Sequence, residues 1–134
     1  MKKVPVTVSA KFKRAIARAT IEQGSGDLRI NSMPLDVYGT ELNRQRIEEV
    51  LALAGDLTDD VDMKIRVEGG GISGQTSAIR TSIARGLIRW TQDPELRKRF
   101  LEYDRSVVKG DVRRKEPKKP GRRGARARPQ KSYR

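Results

Sequence analysis

Four glycines fall within six positions at Gly69, Gly70, Gly71 and Gly74, and Gln75-Thr76 follows them. A strand-like pattern ends at Glu68 and a helical pattern begins beyond the glycines. Strand, glycine-rich loop and helix is the arrangement that presents backbone N–H groups to a phosphate. Read as a P-loop, the run is G-x-x-x-x-G-Q-T. Gln75 then stands where a lysine must offset the charge of the β- and γ-phosphates. Read as a dinucleotide fingerprint it is G-x-G-x-x-G, with Asp93 about the right distance on. That acid should end a second strand, and here it opens a helix. Each nucleotide reading therefore lacks a group it requires. Two readings stay open. One is a tight strand-to-helix turn that uses positive φ. The other is a loop whose bare Gly70, Gly71 and Gly74, with Gln75 beside them, let an RNA backbone approach the N–H groups.

Catalysis is not expected. The chain has no histidine and no cysteine, which removes the commonest general base, the commonest transition-metal ligand, thiolate metal sites and disulfides. Ser73, Thr76 and Ser77 are capable nucleophiles with nothing to activate them, and no lysine sits in an apolar context. Glu68 and Asp93 do not form a convincing acid/base pair. The acidic stretch Asp56 to Asp60 meets no ligand spacing for a metal and reads as a solvated connection. No cofactor and no small-molecule substrate are expected.

The charge points elsewhere. Of 134 residues, 30 are basic and 17 acidic, and they are unevenly placed. Residues 105–134 hold 13 basic and 2 acidic side chains, whereas residues 1–104 hold 17 and 15. The expected organisation is a globular unit over 1–104 and an extended basic tail over 105–134. Pro117, Pro120 and Pro129, with Gly121 and Gly124, interrupt the tail and leave it unable to build a core. Its cations Arg113, Arg114, Lys115, Lys118, Lys119, Arg122, Arg123, Arg126 and Arg128 suit a polyanion, most often nucleic acid. A membrane surface is the rival, but the tail lacks an apolar face. The longest apolar run, Val50 to Ala54, is too short to span a bilayer. No signal-peptide pattern opens the chain, so an intracellular protein is expected.

In the body, Lys11, Lys13, Arg14 and Arg18 are either a solvated strand face or part of one anionic-ligand surface with the tail. Arg80, Arg85 and Arg89 carry the same two readings on the helix after the glycines. Aromatic residues are few, so phosphate and shape, rather than base stacking, should dominate any binding.

The elements that position these groups follow from periodicity. Val4, Val6 and Val8 alternate as a short strand. Residues 14–31 read as a hairpin about Gln23 to Asp27, and Asn31 to Pro34 as a turn. A helix runs from an N-cap at Thr40 to Ala54, with Leu42, Ile47, Val50, Leu51 and Ala54 on one face and Gly55 after it. Val61, Met63, Ile65 and Val67 alternate with charged residues as the clearest strand. Ile79, Ile83, Gly86, Leu87 and Trp90 make one stripe of the next helix. Asp93-Pro94 starts a last helix that ends near Tyr103.

These residues also resemble a known family. Glu68 to Gln75, then Ala78-Ile79-Arg80 and Ile83-Ala84-Arg85, are similar to the signature of the small-subunit ribosomal protein nine family. Ala15-Ile16-Ala17-Arg18, Ile30-Asn31 and Pro34-Leu35 resemble its first hairpin and the segment after that hairpin. Arg113 to Gly121, Gly124 to Arg128 and Gln130 to Arg134 resemble its tail. The Lys-Ser-Tyr-Arg ending and the short chain are similar to archaeal members. Departures are Ala10 to Arg14, where the family has a glycine and a Lys-Arg-Lys-Thr run, and Ser32, where a glycine is usual. The resemblance implies an α+β fold, a two-layer sandwich of a four-stranded sheet with helices on one face. A left-handed βαβ crossover, against the usual right-handed rule, comes with it. It implies a cytoplasmic protein of the small-subunit head whose partners are small-subunit rRNA, neighbouring head proteins and P-site tRNA. The tRNA contact would fall to Lys131, Ser132, Tyr133 and Arg134. The alternatives are an extra-ribosomal nucleic-acid-binding protein and a nucleotide-binding enzyme using Gly69 to Thr76.

Overall fold

Alternating apolar and polar residues build a mixed sheet, and the structure, a computed structural model, describes residues 4–110, 113 and 116–128. The strands are β1 (Val6–Phe12), β2 (Ala15–Gln23), β3 (Leu28–Ile30), β4 (Met33–Pro34) and β5 (Val61–Glu68). Their order is β1-β2-β5-β3-β4, with β3 parallel to β5 and the other neighbours antiparallel. The sheet thus has five strands rather than the expected four. The additional one, β4, is two residues long. That is too short to carry a periodic signal, and its proline is tolerated on an edge.

The first hairpin lies earlier than expected. β1 and β2 pair from Val6↔Ile21 to Phe12↔Ala15, so the connection is Lys13-Arg14, with Lys13 at φ 55°. β2 and β3 do not pair with each other, because β5 lies between them. Gln23 to Asp27 instead wraps the start of β5. Asp62 accepts hydrogen bonds from the N–H groups of Ser25 and Asp27, both at 3.0 Å, and Gly24 N–H donates to the Asp60 carbonyl at 3.0 Å. A loop rich in glycine, serine and aspartate announces a turn. It does not say beside which strand the chain will return.

β3 and β4 are joined by Asn31 and Ser32 at φ 50° and 68°, the two positive values of a tight hairpin turn. The Asn31 amide extends the β3–β5 ladder, donating to the Val67 carbonyl at 3.2 Å and accepting from Val67 N–H at 3.0 Å.

One face of the sheet is apolar. Ala15, Ala17, Ala19 and Ile21 of β2 and Val61, Met63, Ile65 and Val67 of β5 are buried. The helices α1 (Glu41–Ala54), α2 (Ile72–Thr91), α3 (Pro94–Tyr103) and α4 (Arg105–Lys109) supply the second layer. Gly86 lets α2 sit close, since a Cβ there would lie 2.3 Å from Ile21 Cδ1.

The helix starts follow their caps. Thr40 Oγ1 accepts from Asn43 N–H at 3.4 Å, Asp93 from Glu95 N–H at 3.0 Å, and Asp104 from Ser106 N–H at 2.9 Å. Leu42 is 67% exposed, contrary to expectation. The seam of α1 runs through Asn43, Ile47, Val50 and Ala54, one position further on. α4 buries Val107, so the packed body continues to Lys109. Among the described residues, no helix is long and apolar enough to cross a membrane.

Candidate nucleic-acid interface

The glycine loop joins β5 to α2 and packs against the β1–β2 turn. Gly69 and Gly70 have φ of 77° and 64°, which glycine adopts without steric cost. A Cβ at Gly69 would lie 2.5 Å from the Arg14 carbonyl oxygen, and one at Gly70 3.1 Å from Ala15 N. Backbone meets backbone here because the side chains are missing. Gly71 is the N-cap of α2 at φ −99°, so it needs no left-handed freedom. It offers no side-chain cap, and the first turn of this 20-residue helix contains no acid. The positive end of the helix is therefore open to an anion. Gln75 turns back on the loop, its Nε2 donating to the Gly69 carbonyl at 3.1 Å.

Phe12, Lys13, Arg14, Gly70, Gly71, Ser73, Gly74 and Arg113 line a cavity of about 800 Å³ at this end. No carboxylate is among these described lining residues. Lys13 Nζ stands 5.8 Å from the centroid of the Phe12 ring. The sequence-predicted Lys13, Arg14, Gly70, Gly71, Gly74 and Arg113 thus come together in one cationic concavity. Lys11 and Arg18 do not join them. They lie on the helix-free face of the sheet, where Arg18 pairs with Glu68 at 3.3 Å.

The three arginines of α2 have different surroundings. Arg80 is largely buried and reaches Glu49 at 3.8 Å, while its Nε is buried without a hydrogen-bond partner. Arg85 Nε donates to the Val108 carbonyl at 2.7 Å. Its two terminal nitrogens donate to the carbonyls of Lys109 at 2.9 Å and Ser9 at 3.3 Å. Arg85 is thereby committed to holding α4 against β1. Arg89 is exposed.

Arg46 was not singled out from the sequence, where it looks like one more polar residue on α1. It donates to Ser77 Oγ at 2.8 Å and Ser73 Oγ at 3.4 Å. With Ser77, Arg80, Asp104 and Arg113 it lines a second cleft of about 430 Å³ beside the first. Burial, and then the charge of Arg80, pushes the Arg46 guanidinium below its ordinary pKa. Its place three and four residues from Asn43 and Val50 was the available signal, since that spacing keeps it near the α2-facing seam.

Lys118, Lys119, Arg122, Arg123, Arg126 and Arg128 lie in the described part of the tail. The chain turns at Gly121, φ 76°, and Arg126 Nε pairs with Glu116 Oε2 at 2.9 Å. This stretch therefore folds back rather than running straight. Arg114, Lys115, Lys131, Ser132, Tyr133 and Arg134 lie outside the described residues.

The class is a small α+β body with a cationic cavity at a helix start, lined by no carboxylate among the described residues, followed by a strongly basic segment. Residues 10–134 match the family described as Ribosomal protein S9/S16. The chain is 47% identical over 129 residues to Small ribosomal subunit protein uS9 of Thermoplasma volcanium, covering 96% of this chain and 98% of the relative. It is 46% identical over 129 residues to the protein of that name from Methanothrix thermoacetophila, covering 96% and 98%. Identity to the Halobacterium salinarum protein is 51% over 127 residues, covering 94% and 96%. The chain belongs to the ribosomal protein S9/S16 family, whose members are structural proteins and not enzymes.

Proposed function

We propose that this chain binds small-subunit rRNA in the head of the subunit and extends its C-terminal end to the anticodon stem-loop of P-site tRNA. The observation that carries the rRNA contact is the cavity where Lys13 and Arg14 meet the start of α2, which has no side-chain cap and no acid in its first turn, with no carboxylate among the described lining residues. Backbone N–H groups and guanidinium groups there would hold phosphate oxygens by charge-assisted hydrogen bonds. On this reading β3, α1 and β5 form the βαβ unit with the left-handed crossover, and the tail over 105–134 begins with α4 docked on the body. The tail's cations exchange counterions for rRNA phosphates. Lys131 and Arg134 meet phosphates of the tRNA, Ser132 donates a hydrogen bond and Tyr133 packs on a sugar or base.

Two measurements test this. In sucrose gradients the chain co-sediments with small subunits, and a protein confined to the free pool refutes the assignment. Deleting Lys131 to Arg134 leaves subunits assembled but raises the dissociation rate of P-site tRNA. An unchanged rate removes the tRNA contact from the reading.

A further inference from the structure

The helix-free face of the sheet carries its charges in rows. Across β2 and β5, Arg18 stands directly opposite Arg66, and across β5 and β3, Lys64 stands opposite Arg29. Like charges directly opposite each other destabilise a sheet. Here four of them occupy two adjacent rows over three strands. Acids are kept to the margins: Glu22 opposite Asp62 at one end, and Glu68 opposite Ile16 at the other. Arg18 reaches Glu68 at 3.3 Å, Lys64 reaches Glu22 at 3.5 Å and Arg29 reaches Asp27 at 3.0 Å. These pairs are exposed, so they hold weakly and can be exchanged for another anion. Arg66 has no ion pair among the described residues.

The rows border a concavity of about 630 Å³ that also includes Thr7, Thr20 and Asn31. No carboxylate lines it among the described residues, and it shares no lining residue with the cavity at the glycine loop. A protein partner would need an apolar centre to bury. Apart from Ile65, the concavity between the marginal acids offers cations, hydroxyls and an amide, the composition of a nucleic-acid interface.

We propose that the helix-free face binds a second stretch of phosphodiester backbone along the Arg18–Arg66 and Lys64–Arg29 rows, so that the body bridges two separate RNA segments. The inference rests on the rRNA-binding reading and adds a second surface to it. Thr7 and Thr20 hydroxyls, 3.5 Å apart, lie beside the Lys64 row and can donate to phosphate or 2′-hydroxyl oxygens.

Because the chain has no cysteine, Thr7→Cys and Ser73→Cys each give a unique attachment point for a tethered iron chelate that cleaves nearby RNA. The full-length variants are assembled into small subunits and the rRNA is mapped. Both probes should cut, and at different segments. If Thr7 gives no cuts, or only those given by Ser73, the second surface does not exist. If Ser73 is silent too, the reading of the glycine-loop end falls with it. In a second measurement, Lys64→Gln with Arg66→Gln should lower the salt slope of rRNA binding by about one to two, at about 0.7–0.9 for each phosphate released. An unchanged slope, or protection of this face by a protein instead of RNA, overturns the proposal.

Discussion

At Gly69 one absent methyl group decides whether the loop and the β1–β2 turn can touch. A Cβ would meet the Arg14 carbonyl oxygen at 2.5 Å, and φ of 77° is already unfavourable for any side chain. Gly69→Ala should cost about 2 kcal/mol or more, from a left-handed penalty of roughly 1–2 kcal/mol plus backbone displacement. A urea titration of the purified protein checks it, and an unchanged midpoint would show that the loop can back away. Ser32 tests the converse. It sits at φ 68° in the β3–β4 turn, a backbone region that glycine adopts without steric cost. Ser32→Gly should raise stability by up to about 1 kcal/mol by removing that strain, read from the same titration. The glycine loop was legible because glycine itself signals positive φ. Asn31 carries a weaker form of that signal, whereas Lys13 and Ser32 share the backbone region without one.

Among the elements, α4 is tied at its C-terminal end by one side chain, while Val107 packs in the core and Thr81 Oγ1 donates to the Ser106 carbonyl at 3.4 Å. Its last carbonyls have no partners within the helix, and Arg85 takes those of Val108 and Lys109 while reaching Ser9 of β1. Arg85→Ala should cost about 2 kcal/mol, within the range for hydrogen bonds to charged groups. It should also speed amide exchange in α4, whereas Arg85→Lys should restore only part of the loss. The β2–β3 connection depends in the same way on Asp62. Backbone N–H groups of Asp27 and then Ser25 hold its carboxyl below the usual range, and Ser106 does the same for Asp104. Both folded values are depressed, so the stability they give is present above the unfolded value of about 3.9 and is lost as pH falls through the folded values. Thermal melts below pH 4 should show that loss, and Asp62→Asn should flatten it. If the variant keeps the full slope, other carboxyls carry the acid sensitivity. Strand β5 and helix α3 were readable from alternation and from the Asp93-Pro94 start. The partner of β2 was not, because strand order is set by a segment nearly forty residues further along the chain.

The whole molecule divides its charge in a way the sequence states and the fold explains in part. The body keeps its cations in places with different purposes: an open cavity at the start of α2, the helix-free sheet face, and structural ties such as Arg85. Sequence alone cannot separate these, since an arginine on a helix looks the same whether it meets a phosphate or a carbonyl. The residues beyond Gly110 hold eleven basic and two acidic side chains, far more than packing there could use. Counterion release makes this testable, because each phosphate no longer neutralised lowers the slope of log K against log salt by about 0.7–0.9. A chain ending at Gly110 keeps every strand and helix of the described residues, so its melting temperature should stay close to that of the full chain. Its slope for small-subunit rRNA should fall by several units, and the drop in affinity should be largest at low salt. A fall of only one or two would place most of the binding on the body's own two surfaces and reduce the basic tail to a reach toward the tRNA.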